Sequence, residues 1–270
     1  MNMTDLPETR QIELERSEDW LTIWLNRPDS RNALSDEMLE ELCATLNAVC
    51  DDRSVRGITL RGRGKVFCAG GDLKGFKAMF QGESPDLEKV TAANCRAGEL
   101  FDLINTMPQV VVMLVHGAAI AGGLGMLCAG DIVVVTRDAK FSLTETMLGI
   151  PPAQIAPYVV RRIGLPAARK IMLTAARFDG AEARALGLAN DIVEDAEGLD
   201  TAEAGIRQQV KLCAPGANAA TKAILLAADR LEREVMQEFA GGKFAECMLS
   251  DEGREGIAAF VEKRKPSWSE

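Results

Sequence analysis

The chain has 270 residues, 47% of them hydrophobic and 26% charged, with a formal net charge of −9. That is enough apolar material for a sizeable core, and the acidic balance opposes a nucleic-acid partner, since phosphate binding relies on clustered cations. No apolar run approaches the roughly 20 residues that span a bilayer, and Met1 to Glu8 has no basic region followed by an apolar one, so a cytoplasmic protein without a membrane partner is expected. Seven cysteines, an odd number with no CxxC pair, argue against a disulfide framework or a zinc cluster.

Arg10 to Arg16 and Trp20 to Asn26 alternate apolar and polar residues around the turn Ser17-Glu18-Asp19, which predicts a hairpin-like opening. Ser35 precedes an acidic first turn, and Met38, Leu39, Leu42, Leu46 and Val49 recur at helical spacing, predicting a capped amphipathic helix. Gly57 to Gly62 reads as a strand. Asp86 to Met107 reads as a long helix stopped by Pro108, Val110 to Val115 as an apolar strand, then a Gly-rich turn into a helix, and Asp131 to Thr136 as a further strand. Strands alternating with helices imply an α/β core. Beyond Gly164, helices are expected over 167–175, 181–186, 202–212, 217–230 and 235–248. The charged residues Glu194, Asp195, Glu197 and Asp200 suggest a boundary near 195, dividing a core of 1–195 from a helical region of 196–270.

Two Gly-rich elements stand between a strand and a helix. One is Phe67-Cys68-Ala69-Gly70-Gly71-Asp72-Leu73, preceding an expected helix that contains Phe76 and Met79; Asp72 could cap it. The other is Gly117-Ala118-Ala119-Ile120-Ala121-Gly122-Gly123-Leu124-Gly125. Each taken alone reads more readily as an ordinary tight turn. Converging on one oxygen, they would supply fixed backbone donors where negative charge develops.

Other chemistries are poorly served. The second element lacks the last glycine of GxGxxG, Cys128 standing in its place, and there is no P-loop, HExxH or GxSxG. The single histidine, His116, ends an apolar strand and is expected to pack there, which leaves little room for a Ser-His or multi-histidine metal site. Carboxylates remain as proton carriers. Glu145 is an isolated acid in the apolar stretch Phe141 to Pro152, where partial desolvation would raise its pKa toward a useful range; a solvent-facing glutamate is the alternative.

Leu25-Asn26-Arg27-Pro28 with Asn32-Ala33-Leu34, Phe67 to Leu73, Gly117 to Asp131, Phe141 to Gly149 and Ala259-Phe260-Val261-Glu262-Lys263-Arg264 together resemble the crotonase superfamily of enoyl-CoA hydratases and isomerases over nearly the whole chain. The resemblance implies a spiral of ββα units with a C-terminal helical region that packs on neighbouring subunits in a homotrimer or dimer of trimers. Carried over by position, the amides of Gly71 and Gly122 would form an oxyanion hole for a thioester. Ala69 and Leu73 would line the CoA site, and Phe260 and Lys263 would close its nucleotide end; Arg27, Ala33 and Asp72 are further binding candidates. No resident cofactor is implied, coenzyme A being part of the substrate.

Gly125 departs from the pattern, because hydratases of this superfamily typically carry a first catalytic glutamate there; only the second is matched, as Glu145. The segments Gly122 to Gly125 and Leu148 to Val160 are similar to bacterial 3-methylglutaconyl-CoA and isohexenylglutaconyl-CoA hydratases, a branch that shares this departure. This implies a hydro-lyase acting on a branched glutaconyl-CoA, with Glu145 as acid/base. Gly75, Met79, Phe80 and the loop through Pro85 could accept a long acyl chain or be an ordinary surface loop. No motif singles out the cation for a second substrate carboxylate, and Lys74 is named as its candidate. A Δ3,Δ2-enoyl-CoA isomerase and a non-catalytic acyl-CoA-binding protein remain the alternatives.

Overall fold

The computed structural model describes residues 6–73 and 86–269. The opening hairpin is β1 (Ile12–Ser17) against β2 (Trp20–Leu25). Beside β2, the strands β3 (Gly57–Gly62), β4 (Val110–Val115), β6 (Ile132–Thr136) and β9 (Asp191–Val193) add in parallel, giving the order β1-β2-β3-β4-β6-β9. A smaller sheet is built from β5 (Ala118–Ile120), β7 (Lys140–Ser142) and β8 (Phe178–Asp179). Two successive turns, β4-β5 before the next helix and β6-β7 before the one after it, give one strand to each sheet, within the expected mixed α/β architecture.

Helix α1 (Asp36–Val49) begins where Ser35 accepts a hydrogen bond from the Met38 amide, and it buries Met38, Leu42, Leu46 and Val49 completely. Helix α2 (Leu87–Thr106) is capped by Asp86 on the amides of Glu88 and Lys89. Helix α3 (Gly122–Ala129) is buried from Gly123 onward. Helix α4 (Ala156–Thr174) starts eleven residues before the expected 167, and a kink at Gly164 (φ 77°, ψ 156°) divides it. Pro157 and Pro166 each sit at the start of a helical stretch, where a missing N–H costs nothing.

After α5 (Gly180–Ala185), helix α6 (Ala196–Lys211) packs Leu199, Ile206 and Val210 on Trp20, Val112, Leu114 and Val134 of the large sheet. The layering of the sheet therefore continues past the charged stretch at 194–200. Helices α7 (Pro215–Ala227), α8 (Arg233–Leu249) and α9 (Asp251–Glu262) complete the chain. The last was not expected, because Gly253 and Gly256 interrupt its pattern. Among the described residues no helix is long and apolar enough to cross a membrane.

The tail is anchored at the N-terminal ends of the parallel strands. Lys222 of α7 donates to Asp131 Oδ2 at 2.5 Å and to the Gln109 carbonyl at 2.6 Å, while Arg56 donates to the carbonyls of Val210, Cys213 and Trp268. Burial lowers the Lys222 pKa, and Asp131 opposes the shift. Removing one partner of such a pair strands the other. A Lys222→Ala variant is expected to lose about 3 kcal/mol in urea unfolding, the low end for a buried pair because Asp131 keeps some solvent contact.

Candidate active site

At the opposite, C-terminal ends of the same strands, four distant segments are stitched into one platform. Residues 31–34 join 69–72 through Ala69 N to Arg31 O (3.0 Å), Leu34 N to Gly70 O (2.8 Å) and Asp72 N to Leu34 O (2.9 Å). Residues 67–68 join the next segment through Phe67 N to His116 O, Cys68 N to Ala118 O and Ile120 N to Cys68 O. That segment joins 140–142 through Lys140 N to Gly117 O (2.8 Å) and Ala121 N to Ser142 O (2.9 Å). His116 itself meets the Gly64 carbonyl at 2.9 Å, in keeping with its expected packing role.

The two Gly-rich elements meet here. A Cβ built on Gly122 would lie 3.7 Å from the Gly71 nitrogen and 3.8 Å from the Gly70 Cα. Gly122 is the first residue of α3, so its N–H has no carbonyl one turn back, and neither it nor the Gly71 N–H has a backbone acceptor among the described residues. Sharp steering sets them there. Ala121, at φ 49° and ψ −122°, occupies a backbone region that favours glycine, at a strain of about 1–3 kcal/mol. Gly70, at φ +95°, leaves room for it: a Cβ there would lie 2.8 Å from Ala121 Cβ. Two adjacent free N–H groups at a helix start can hold an oxygen that gains negative charge.

Glu145 follows the Ser142 anchor and opens a short 3₁₀ turn, Glu145–Leu148. Its Oε2 is buried without a hydrogen-bond partner among the described residues. Burial is the larger influence and pushes the carboxyl pKa up, with a hydrogen bond from its own backbone acting the other way. A poorly solvated carboxylate can take up and return a proton near neutrality. By contrast, burial pushes the thiols of Cys68 and Cys128 up to about 12, which makes them packing groups.

Position 125, one turn into α3 from Gly122, has no room for a side chain. A Cβ there would lie 2.0 Å from Ile155 Cγ2 and 2.4 Å from Ile155 Cβ. Ile155 is 4% exposed and immediately precedes α4. Nothing in the sequence distinguishes it from other core aliphatics, and only this overlap reveals its place.

The binding candidates separate into groups. Arg27 donates from Nη1 to the Ala33 carbonyl at 2.5 Å and from Nη2 to Asp72 Oδ2 at 3.1 Å, so Arg27, Ala33 and Asp72 lie together, with Ala69 tied to Arg31 alongside. Asn32, buried at φ 53°, holds this loop by accepting from Arg27 N and donating to the carbonyls of Arg63 and Val66. The sequence offered a signal for it, since asparagine tolerates the left-handed region after a Pro-Asp-Ser turn. Leu73 is 57% exposed at the platform's edge. Phe260, 85% exposed, and Lys263, which caps the end of α9, belong to the tail anchored at the other end of the sheet, and among the described residues no hydrogen bond or ion pair joins either to Arg27. Lys74, Gly75, Met79, Phe80 and Pro85 lie outside the described residues.

A family profile described as enoyl-CoA hydratase/isomerase matches residues 15–270. Pseudomonas aeruginosa AtuE superposes with a TM-score of 0.93 at 48% identity, covering 97% of this chain and 100% of that one. An enoyl-CoA hydratase/isomerase from Marinobacter aquaeolei gives 0.92 at 37% identity, covering 96% and 99%. The carnitinyl-CoA dehydratase of Proteus mirabilis is 32% identical over 92% of this chain and 94% of its own.

Proposed function

The chain belongs to the enoyl-CoA hydratase/isomerase family, and from that premise we propose that it is a hydro-lyase adding water across the 2,3 double bond of a branched glutaconyl-CoA. The observation that carries this reading is the buried Oε2 of Glu145, without a hydrogen-bond partner among the described residues, on a segment bonded to the turn that presents Gly122. The amides of Gly71 and Gly122 receive the thioester oxygen. The Glu145 carboxylate takes a proton from water as the water oxygen bonds to C3; the π electrons move onto the thioester, whose oxygen becomes an enolate oxyanion held by the two N–H groups. Glu145 then returns that proton to C2, the thioester carbonyl re-forms, and the carboxylate is restored. One carboxylate suffices because the proton it takes is the proton it gives.

Arg27, Ala33, Ala69, Asp72 and Leu73 frame the CoA portion in this reading, and no resident cofactor enters the cycle. The exposed apolar residues Phe244, Leu249, Ile257, Phe260 and Val261 of α8 and α9 support assembly into a homotrimer or dimer of trimers, which would bring Phe260 and Lys263 to a neighbour's nucleotide end.

The absence of a carboxylate at Gly125 also favours a second reading, a Δ3,Δ2-enoyl-CoA isomerase that uses Glu145 to shuttle one proton. Mass analysis after incubation with 3-methylglutaconyl-CoA and isohexenylglutaconyl-CoA separates the two. A gain of one water, absent with Glu145→Gln, is the expected result. A shifted double bond without added mass replaces hydration by isomerisation, and binding without turnover makes the protein an acyl-CoA carrier.

A further inference from the structure

We propose that Ile155 is a specificity-determining residue: with Gly125 it forms a hydrocarbon floor on which the substituent at C3 of the substrate rests. This rests on the hydratase reading above. Position 125 lies one turn from Gly122 on α3, and residues three apart share a helix face, so a side chain at 125 would project beside the oxygen-binding amides. That space is crowded from outside the helix. Ile155 Cγ2 lies 2.0 Å from the position that a Cβ on residue 125 would take, and its Cδ1 lies 3.3 Å away.

The exchange has two chemical consequences. A long acid at 125 would reach beyond its own Cβ toward the reacting carbons, whereas the branched Ile155 side chain fills only the root of that volume. On this proposal the volume that an acid at 125 would have reached is bounded by the Ile155 hydrocarbon instead of a carboxylate, which suits an apolar branch at C3 better than a second water-binding acid.

The floor is held rigidly. The Ile155 carbonyl accepts from the amides of Tyr158 and Val159, and the preceding Gln154 donates to Asn94 Oδ1 at 2.9 Å while lying against Gly98 of α2. Tyr158 meets Phe101 edge to face at 6.2 Å. Its depth is thus set by the side chain at 155 and not by movement of the segment.

The test measures kcat/KM of the intact wild-type assembly and of Ile155→Val and Ile155→Ala on 3-methylglutaconyl-CoA and isohexenylglutaconyl-CoA in one assay. Shortening the side chain deepens the floor, so the ratio of long-branched to methyl substrate is expected to rise about fivefold to tenfold in Ile155→Ala and by a smaller factor in Ile155→Val. The ratio is independent of how much protein is folded, and Ile155→Val decides the matter if the alanine variant does not fold. A ratio unchanged in a folded variant overturns the proposal. No water gain by the wild-type protein on either ester overturns the hydratase reading instead.

Discussion

Glu145→Gln is expected to lower kcat by about a thousandfold while leaving CoA-ester binding intact, because it removes the proton carrier and keeps its shape. The same change is expected to raise Tm at neutral pH by about 1–3 °C. The sign follows from burial: a carboxyl whose folded-state pKa is raised binds its proton more tightly in the native protein than in the unfolded chain. Native stability therefore falls as pH rises from the unfolded value, about 4.3 for glutamate, through the folded one. Above that window the desolvated carboxylate is a standing cost that the neutral amide does not carry. The gain in Tm should shrink toward zero in acid, and wild-type kcat/KM should fall on acidification through an apparent pKa above the ordinary carboxylate range. A variant that is inactive but no more stable at pH 7 would mean that Glu145 has a partner in solution.

The second large effect is expected at Gly70, which touches neither proton nor substrate. An added Cβ there would meet Ala121 Cβ at 2.8 Å, the Ile120 carbonyl at 2.9 Å and the Gly122 nitrogen at 3.4 Å, on a backbone at φ +95°. Gly70→Ala must therefore part the two turns that carry Gly71 and Gly122. An oxygen held by two amides would then be held by one, and losing one such donor costs about a hundredfold to a thousandfold in kcat. Strain and crowding together should also remove about 2–4 kcal/mol of stability. Steady-state kinetics beside a thermal melt separates these effects: a melt that drops while kcat stays within about tenfold would place the oxygen-binding donors elsewhere.

Much of this arrangement is legible in the chain itself where local signals are long and agree with each other. Ser35 with an acidic first turn and a helical stripe, or Asp86 and Pro108 bracketing a helix, specify α1 and α2 through caps and period. The strands β5, β7, β8 and β9, two or three residues each, are too short for a period to show, and they form only because the large sheet brings their neighbours alongside. The first half of α4, before the kink at Gly164, was missed because the glycine breaks the helical period and separates Ala156 to Ile163 from the stretch that follows. At the site, the two Gly-rich turns were visible but their meeting was not, because it depends on hydrogen bonds between residues far apart in the chain, as from Leu34 to Gly70 and from Ala121 to Ser142. The Arg27–Asp72 pair is hidden for the same reason. Ile155 could not have been found, since the decisive fact is a missing side chain 30 positions earlier, at Gly125.

The platform's weaving also governs how the protein can be divided. Each of its segments is held by main-chain bonds to another, from Arg31 and Leu34 through Ala69 and Gly70, then Cys68 and Ala118, to Ala121 and Ser142. No contiguous fragment lacking any stretch between Arg27 and Glu145 can contain the site, and cutting the chain between these segments leaves pieces that hold only parts of it. Catalytic competence is thus a property of the closed spiral, acquired once the most distant of these loops has joined and not accumulated turn by turn.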